Sequence, residues 1–153
     1  MVEQRENAQL AIGNRQLAIT MYAAAALLAL VGLSDAVYLT VQHISGQSVP
    51  CSVTGGCEEV LTSQYAVIAG IPLAALGAAA YFSVFSLSTL AAFGYRVAGK
   101  LLLPLVATMV LMSLWLFYLQ AVVIRAFCQF CLLSAAITIV LMIVVVLARK
   151  KGS

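Results

Sequence analysis

Residues 127–147 read FCQFCLLSAAITIVLMIVVVL, 21 residues without a charged side chain, set between Arg125 and the basic end Arg149-Lys150-Lys151. A helix rises about 1.5 Å per residue, so about 20 apolar residues cross a hydrocarbon core about 30 Å thick. The run has that length, and its basic flanks fall where polar headgroups lie. Three further apolar runs repeat the pattern, from about Leu17 to Ile44, Ala66 to Phe93 and Leu101 to Ile124. Across the chain 64% of residues are hydrophobic and 8% charged, too little charge to cover a soluble domain, so lipid is the solvent for much of the surface. The expected fold is all-α, an integral membrane four-helix bundle with an outer loop containing a short surface helix. Four spans use about half of the chain, which leaves short loops and no separate soluble domain. The net charge of +3 says little about nucleic acid.

The expected divisions are a cytoplasmic N-terminal segment over 1–16, disordered or a short surface helix, a transmembrane domain over 17–148, and a cytoplasmic tail over 149–153. The first run resembles a signal peptide in having Ser34 and Ala36 as small residues before a cleavage site. Its length and the intervening Asp35 argue instead for a retained helix. Residues Ser45 to Gln64 form a polar loop with Gly46, Pro50, Gly55 and Gly56. Within it, Cys57 to Ser63 is read as two helical turns on the membrane surface. Pro72 marks the first turn of the second span or a kink, and Pro104 falls in the first turn of the third.

The distribution of basic residues orients the bundle. Arg5, Arg15, Arg96, Lys100, Arg149, Lys150 and Lys151 fall on one side, and only Arg125 on the other. This positive-inside pattern makes both termini cytoplasmic and turns the loops after spans 1 and 3 outward. All four cysteines, Cys51, Cys57, Cys128 and Cys131, then lie at the outer face, the disulfide-permissive side of a bacterial inner membrane or of the ER.

Cys128-Gln-Phe-Cys131 opens the fourth span. The first turn of a helix presents free amide hydrogens and the positive end of the dipole, which stabilise a thiolate. Residues three apart on a helix stand about 5–6 Å apart at Cβ, whereas a disulfide wants about 3.8 Å. A bond between them is expected to be labile and redox-active. Buried small hydrophobes and half of a zinc site are the plainer readings. The five-residue gap in Cys51-Ser-Val-Thr-Gly-Gly-Cys57 is wide for zinc, and no suitably placed histidine completes a site. His43 reads as an interface residue at the end of the first span. Gly55 and Gly56 let the Cys51–Cys57 loop turn tightly and place Cys57 where a helix begins. A structural staple is one reading of that loop; a second redox pair, passing electrons by thiol–disulfide exchange, is the other.

At these residues the chain resembles the vitamin K epoxide reductase family. The resemblance rests on the loop pair Cys51/Cys57, the following Ser63, and the Cys-x-x-Cys opening the fourth span. The segment Cys57-Glu-Glu-Val-Leu-Thr-Ser-Gln-Tyr65 ahead of Gly70-Ile-Pro-Leu is similar to bacterial members. It extends from about Leu17 to Leu147 and implies a route. Cys51 exchanges with a thioredoxin-like partner, and Cys57 carries reducing equivalents to Cys128. Cys131 faces a quinone of the ubiquinone or menaquinone class. Ser63 lies near the redox centre, where it positions a cysteine or the quinone, or else serves as a turn or cap residue. Many bacterial members carry a fused thioredoxin-like domain. This chain stops just after the fourth span, so its partner is expected to be a separate periplasmic or lumenal protein. Vertebrate members place a tyrosine four residues after the second cysteine of the pair. Ala135 stands there, which points to generic quinone reduction rather than epoxide reduction.

The quinone head group is expected near the outer helix ends beside Cys131, with Phe127 and Phe130, and also Trp115, Phe117 and Tyr118, as candidate lining. Those aromatics can equally pack or face lipid. Asp35 is the acid inside a span and a functional candidate on that ground, either as a proton source for the quinone or as a partner for a neighbouring Ser or Thr. A second bacterial family of four-helix quinone-linked thiol oxidases puts its Cys-x-x-Cys in the first outer loop, unlike this chain. A soft-metal membrane transporter using the cysteine pairs is the alternative from another class. It calls for soft ligands on the inner side, where none of the four cysteines lies. A membrane subunit with inert loop staples is the third.

Overall fold

The computed structural model describes residues 1–152, and Ser153, the last residue of the expected tail, lies outside the described residues. Four helices have the length and apolarity to cross a membrane. In chain order they are α1 (Val2–Ser45), α3 (Leu73–Ala92), α4 (Arg96–Tyr118) with its continuation, and α5 (Gln129–Gly152); a short α2 (Cys57–Leu61) lies between the first two. α1 packs on α3 and α5, and α4 closes the bundle against α3 and α5.

α1 is one helix of 44 residues. At about 1.5 Å per residue it is about twice as long as the hydrocarbon core is thick. Residues 2–16 are therefore neither disordered nor a separate surface helix. They continue the first span, and the polar composition that suggested a break marks where the same helix leaves the apolar region. The helix ends in a Schellman turn, with Gly46 at φ 63° and the Gln47 amide donating to the Gln42 carbonyl at 3.1 Å.

Small residues set the packing. The buried face of α1 carries Ala18, Ala25, Ala29, Gly32 and Ala36, at spacings of three, four and seven that form one stripe. Lipid is as apolar as the bundle interior, so helices associate through close packing and hydrogen bonds rather than through burial from water. Gly32 shows the closeness: a Cβ there would overlap the Tyr81 ring of α3. The Tyr81 hydroxyl donates to the Ser134 carbonyl of α5 at 2.9 Å and lies 2.8 Å from Ser134 Oγ and 3.0 Å from Thr138 Oγ1. This polar cluster ties α3 to α5 in the middle of the bundle.

Three expected boundaries move. Residues 66–72 are not helical. Val67–Ile68 (β1) and Ile71–Pro72 (β2) form a two-stranded hairpin, turned through Ala69 at φ 52° and Gly70 at φ 81°. The apolar side chains that made this stretch look like part of the span belong to the hairpin, and Pro72 is the residue before α3. Pro104 is inside α4 rather than in its first turn, because the helix starts at Arg96. Residues 149–152 are the last turn of α5 rather than a separate tail.

After Tyr118 the α4 helix widens into a π-helical stretch, Leu119–Ile124, which ends at Arg125 with φ 58°. The wider turn rotates the chain that follows, a device that recurs near functional sites. Here it brings Gln120 inward.

Candidate functional site

At the end of the bundle where α1 finishes and α5 begins, the structure brings all four cysteines into one packed cluster. Cys57 and Cys128 are fully buried in it, with Cys51 and Cys131 packed against them and with Leu39, Val49, Val60 and Ala126 completing it. Cys51 and Cys57 form a disulfide with their Cα atoms 5.8 Å apart, while Cys128 and Cys131 are free thiols.

Each cysteine is held by a local feature of the chain. Gly55, at φ 68°, turns the loop, and Gly56 precedes α2, so that Cys57 is its first residue. Cys51 lies at the loop's start with its Sγ 3.6 Å from Thr54 Oγ1. Cys128 directly precedes α5, and its carbonyl accepts the Leu132 amide at 3.0 Å. Its own amide donates to Gln120 Oε1 at 2.9 Å. Gln120 is 3% exposed, so the π-helical stretch delivers a buried acceptor to the backbone of the reactive residue. The hydrogen bond from the Cys131 thiol pulls the Cys128 thiol down to about 7; burial opposes this, and the Cys131 and Phe130 amides assist it. A buried thiol with that set of donors is poised to become a thiolate near neutral pH.

Beside Cys131 opens a cavity, partly open to the outside and lined by Asp35, Ser63, Phe117, Gln120 and Cys131 among others. Most of its wall is apolar, as in sites for small organic molecules. Cys131 contributes to this wall while the fully buried Cys128 does not. Asp35 reaches the cavity from α1, with Oδ2 buried and without a hydrogen-bond partner. Ser63 lies on the wall and donates its hydroxyl to the Val60 carbonyl at 2.7 Å, so it is a turn residue and a lining residue at once. His43 lines the same cavity from the end of α1.

Phe127 and Phe130 do not line the cavity: Phe130 packs on Tyr38 with ring centroids 5.4 Å apart, and Phe127 on Phe117 at 6.1 Å. Phe127 lies in the non-helical stretch before α5, and Phe130 in the first turn of α5. Phe117 is the aromatic of the expected set that reaches it, whereas Trp115 and Tyr118 stack on each other and are about half exposed. Gln120 was not singled out from sequence. The signal available was an amide inside the apolar third span, eight residues before Cys128. Among the described residues, no three His, Cys, Asp or Glu side chains converge as a metal site would require.

A 55-residue stretch is 42% identical to a thiol-disulfide oxidoreductase of Arabidopsis thaliana, LTO1; the aligned part is 35% of this chain and 15% of that protein. Residues 23–146, from the middle of α1 to near the end of α5, match the vitamin K epoxide reductase family. With four apolar spans and two cysteine pairs meeting at one end of the bundle, this chain is an integral membrane protein of the vitamin K epoxide reductase family.

Proposed function

We propose that the chain is a quinone-linked thiol oxidoreductase that drives disulfide formation in a thioredoxin-like protein. The observation that carries this reading is the cluster itself: a disulfide and a dithiol in contact, with one thiol of the dithiol opening onto a cavity. In the proposed orientation both termini are cytoplasmic and the cysteine cluster is periplasmic, as the basic residues indicate.

The steps balance as two-electron exchanges. A dithiol of the partner reduces Cys51–Cys57: its first thiolate attacks Cys51, its second resolves the mixed disulfide, and Cys51 and Cys57 leave as thiols. When the inner pair is oxidised, the Cys57 thiolate attacks Cys128 and releases Cys131. The Cys51 thiolate then attacks Cys57 and releases Cys128. The outcome is a Cys51–Cys57 disulfide above a Cys128/Cys131 dithiol, the same sulfur pairing as in the structure. A bound quinone supplies a two-electron, two-proton acceptor. The cavity suits such a head group: it is largely apolar, borders Cys131, and holds the unpartnered Oδ2 of Asp35. Cys128, with its thiol pulled down to about 7, closes onto Cys131 as a thiolate. One of the two protons is then missing from the dithiol; of the two ionisable α1 residues on the cavity wall, Asp35 and His43, Asp35 has the buried, unpartnered oxygen and is the proposed donor.

The test is quinone reduction in detergent with a reduced thioredoxin-like protein. Wild type turns over, Cys131→Ala is inactive with every reductant, and Cys51→Ala fails with the protein dithiol while keeping activity with small thiols. Asp35→Asn lowers quinone turnover at least tenfold without changing the rate at which the partner reduces the loop disulfide. Full quinone turnover in Asp35→Asn removes the proton role, and absence of thiol-dependent quinone reduction in wild type removes the whole reading.

A further inference from the structure

Exchange between the two pairs needs Cys57 to meet Cys128, although the loop that carries Cys57 is tethered to a different helix. Two contacts hold the loop in place. Gly56 is buried against the chain leading into α5: a Cβ there would stand 2.9 Å from the Phe127 carbonyl oxygen and 3.0 Å from Phe127 N and Ala126 Cβ. Farther out on the loop, the Val53 amide donates to Gln129 Oε1 at 3.0 Å, across 76 residues of sequence. Gln129 stands between the cysteines of the inner pair and is the first residue of α5. Its side chain is thus fixed to the helix that carries Cys131, while Val53 is 82% exposed at the loop tip.

We propose that Gln129 is a positioning residue, an acceptor that clamps the Cys51–Cys57 loop over Cys128 so that thiol–disulfide exchange takes place in the docked loop. The inference rests on the relay described above but concerns geometry that can be read without a quinone. Gly56 supplies the close seating and Gln129 the register.

The experiment uses the full chain with Cys51→Ala and Cys131→Ala, which leaves Cys57 and Cys128 as the free thiols. Diamide oxidises these two thiols to one disulfide, taking two electrons and two protons as its azo bond becomes a hydrazine. Gln129→Ala should slow the appearance of the Cys57–Cys128 bond about fivefold, the effect of losing one neutral hydrogen bond. Gln129→Glu keeps an acceptor oxygen at the same position and should restore the rate to within about twofold. In a second chain with Cys51→Ala and Cys57→Ala, single-turnover quinone reduction by the inner pair should not respond to Gln129→Ala. Equal cross-linking rates with and without the Gln129→Ala substitution, or a Gln129→Glu chain as slow as Gln129→Ala, overturn the clamp. A parallel fall in the quinone step also overturns it, because the substitution then disturbs the start of α5 as a whole. If wild type reduces no quinone while the cross-link still depends on Gln129, the relay falls and the clamp stands.

Discussion

Gly56→Ala perturbs the seating of the loop in a way that separates steric from conformational cost. The residue sits at φ −98° and ψ 10°, a region open to alanine, so no backbone strain enters. The cost is the new methyl, which meets the Phe127 carbonyl oxygen at 2.9 Å and Phe127 N and Ala126 Cβ at 3.0 Å. Two of these atoms are backbone and cannot swing aside, so the loop must rise by several tenths of an ångström. Overpacking of this kind costs about 1–3 kcal/mol. If that cost falls on the docked geometry in which Cys57 reaches Cys128, exchange slows roughly 5- to 150-fold. Stopped-flow mixing of the oxidised chain with a reduced protein dithiol and a soluble quinone reads the rate. Gly13→Ala is the control, since a Cβ there meets nothing within 4 Å, and it should behave as wild type. A Gly56→Ala chain that matches wild type in both turnover and detergent melting would refute the reasoning, because the loop would not then be seated where the close approach requires it.

Further outcomes follow from the same geometry. The Cys128 thiol is pulled down to about 7 by its hydrogen bond from Cys131, and a lowered pKa makes the thiolate the dominant form above that value. Single-turnover oxidation of the inner pair should therefore rise as pH climbs through about 7 and level off above it. A midpoint near 9, the ordinary thiol value, would show that the hydrogen bonds do not act on Cys128. Tyr81→Phe removes a hydroxyl with three polar contacts at 2.8–3.0 Å to Ser134 and Thr138. Hydrogen bonds between membrane helices are worth about 0.6–1.7 kcal/mol, so reversible unfolding in detergent should show a loss of about 1 kcal/mol. An unchanged stability would mean that Ser134 and Thr138 satisfy themselves within α5.

Much of the fold was legible because lipid imposes a simple rule of length and apolarity. The run 127–147 and its basic flanks state a span directly. The cysteine loop was legible for a different reason: Gly55 and Gly56 allow the turn that lets α2 begin at Cys57. Residues 66–72 misled because hydropathy cannot distinguish a hairpin of Val67, Ile68 and Ile71 from a helical turn of the same side chains. The positive φ at Ala69 has no sequence signature, since alanine rarely adopts it. The π-helical stretch 119–124 was invisible for a related reason, as its composition is that of any apolar helix. That stretch carries Gln120, whose side chain accepts the Cys128 amide, and the Phe127 and Phe130 rings pack on Phe117 and Tyr38 rather than on the cavity wall. The cysteines were therefore legible as two pairs at one end of the bundle, while the groups that orient them depend on backbone detail that side-chain pattern does not encode.

The most direct measurement is an anaerobic titration of the fully reduced, purified chain with a water-soluble quinone, counting quinol formed per chain. Four thiols closing into two disulfides carry four electrons, so the account gives two quinols per chain, and one when Cys51 and Cys57 are both replaced by alanine. Formation of no quinol would contradict the coupling of these cysteines to a quinone. A yield of one from the unsubstituted chain would contradict the passage of electrons from Cys57 to Cys128.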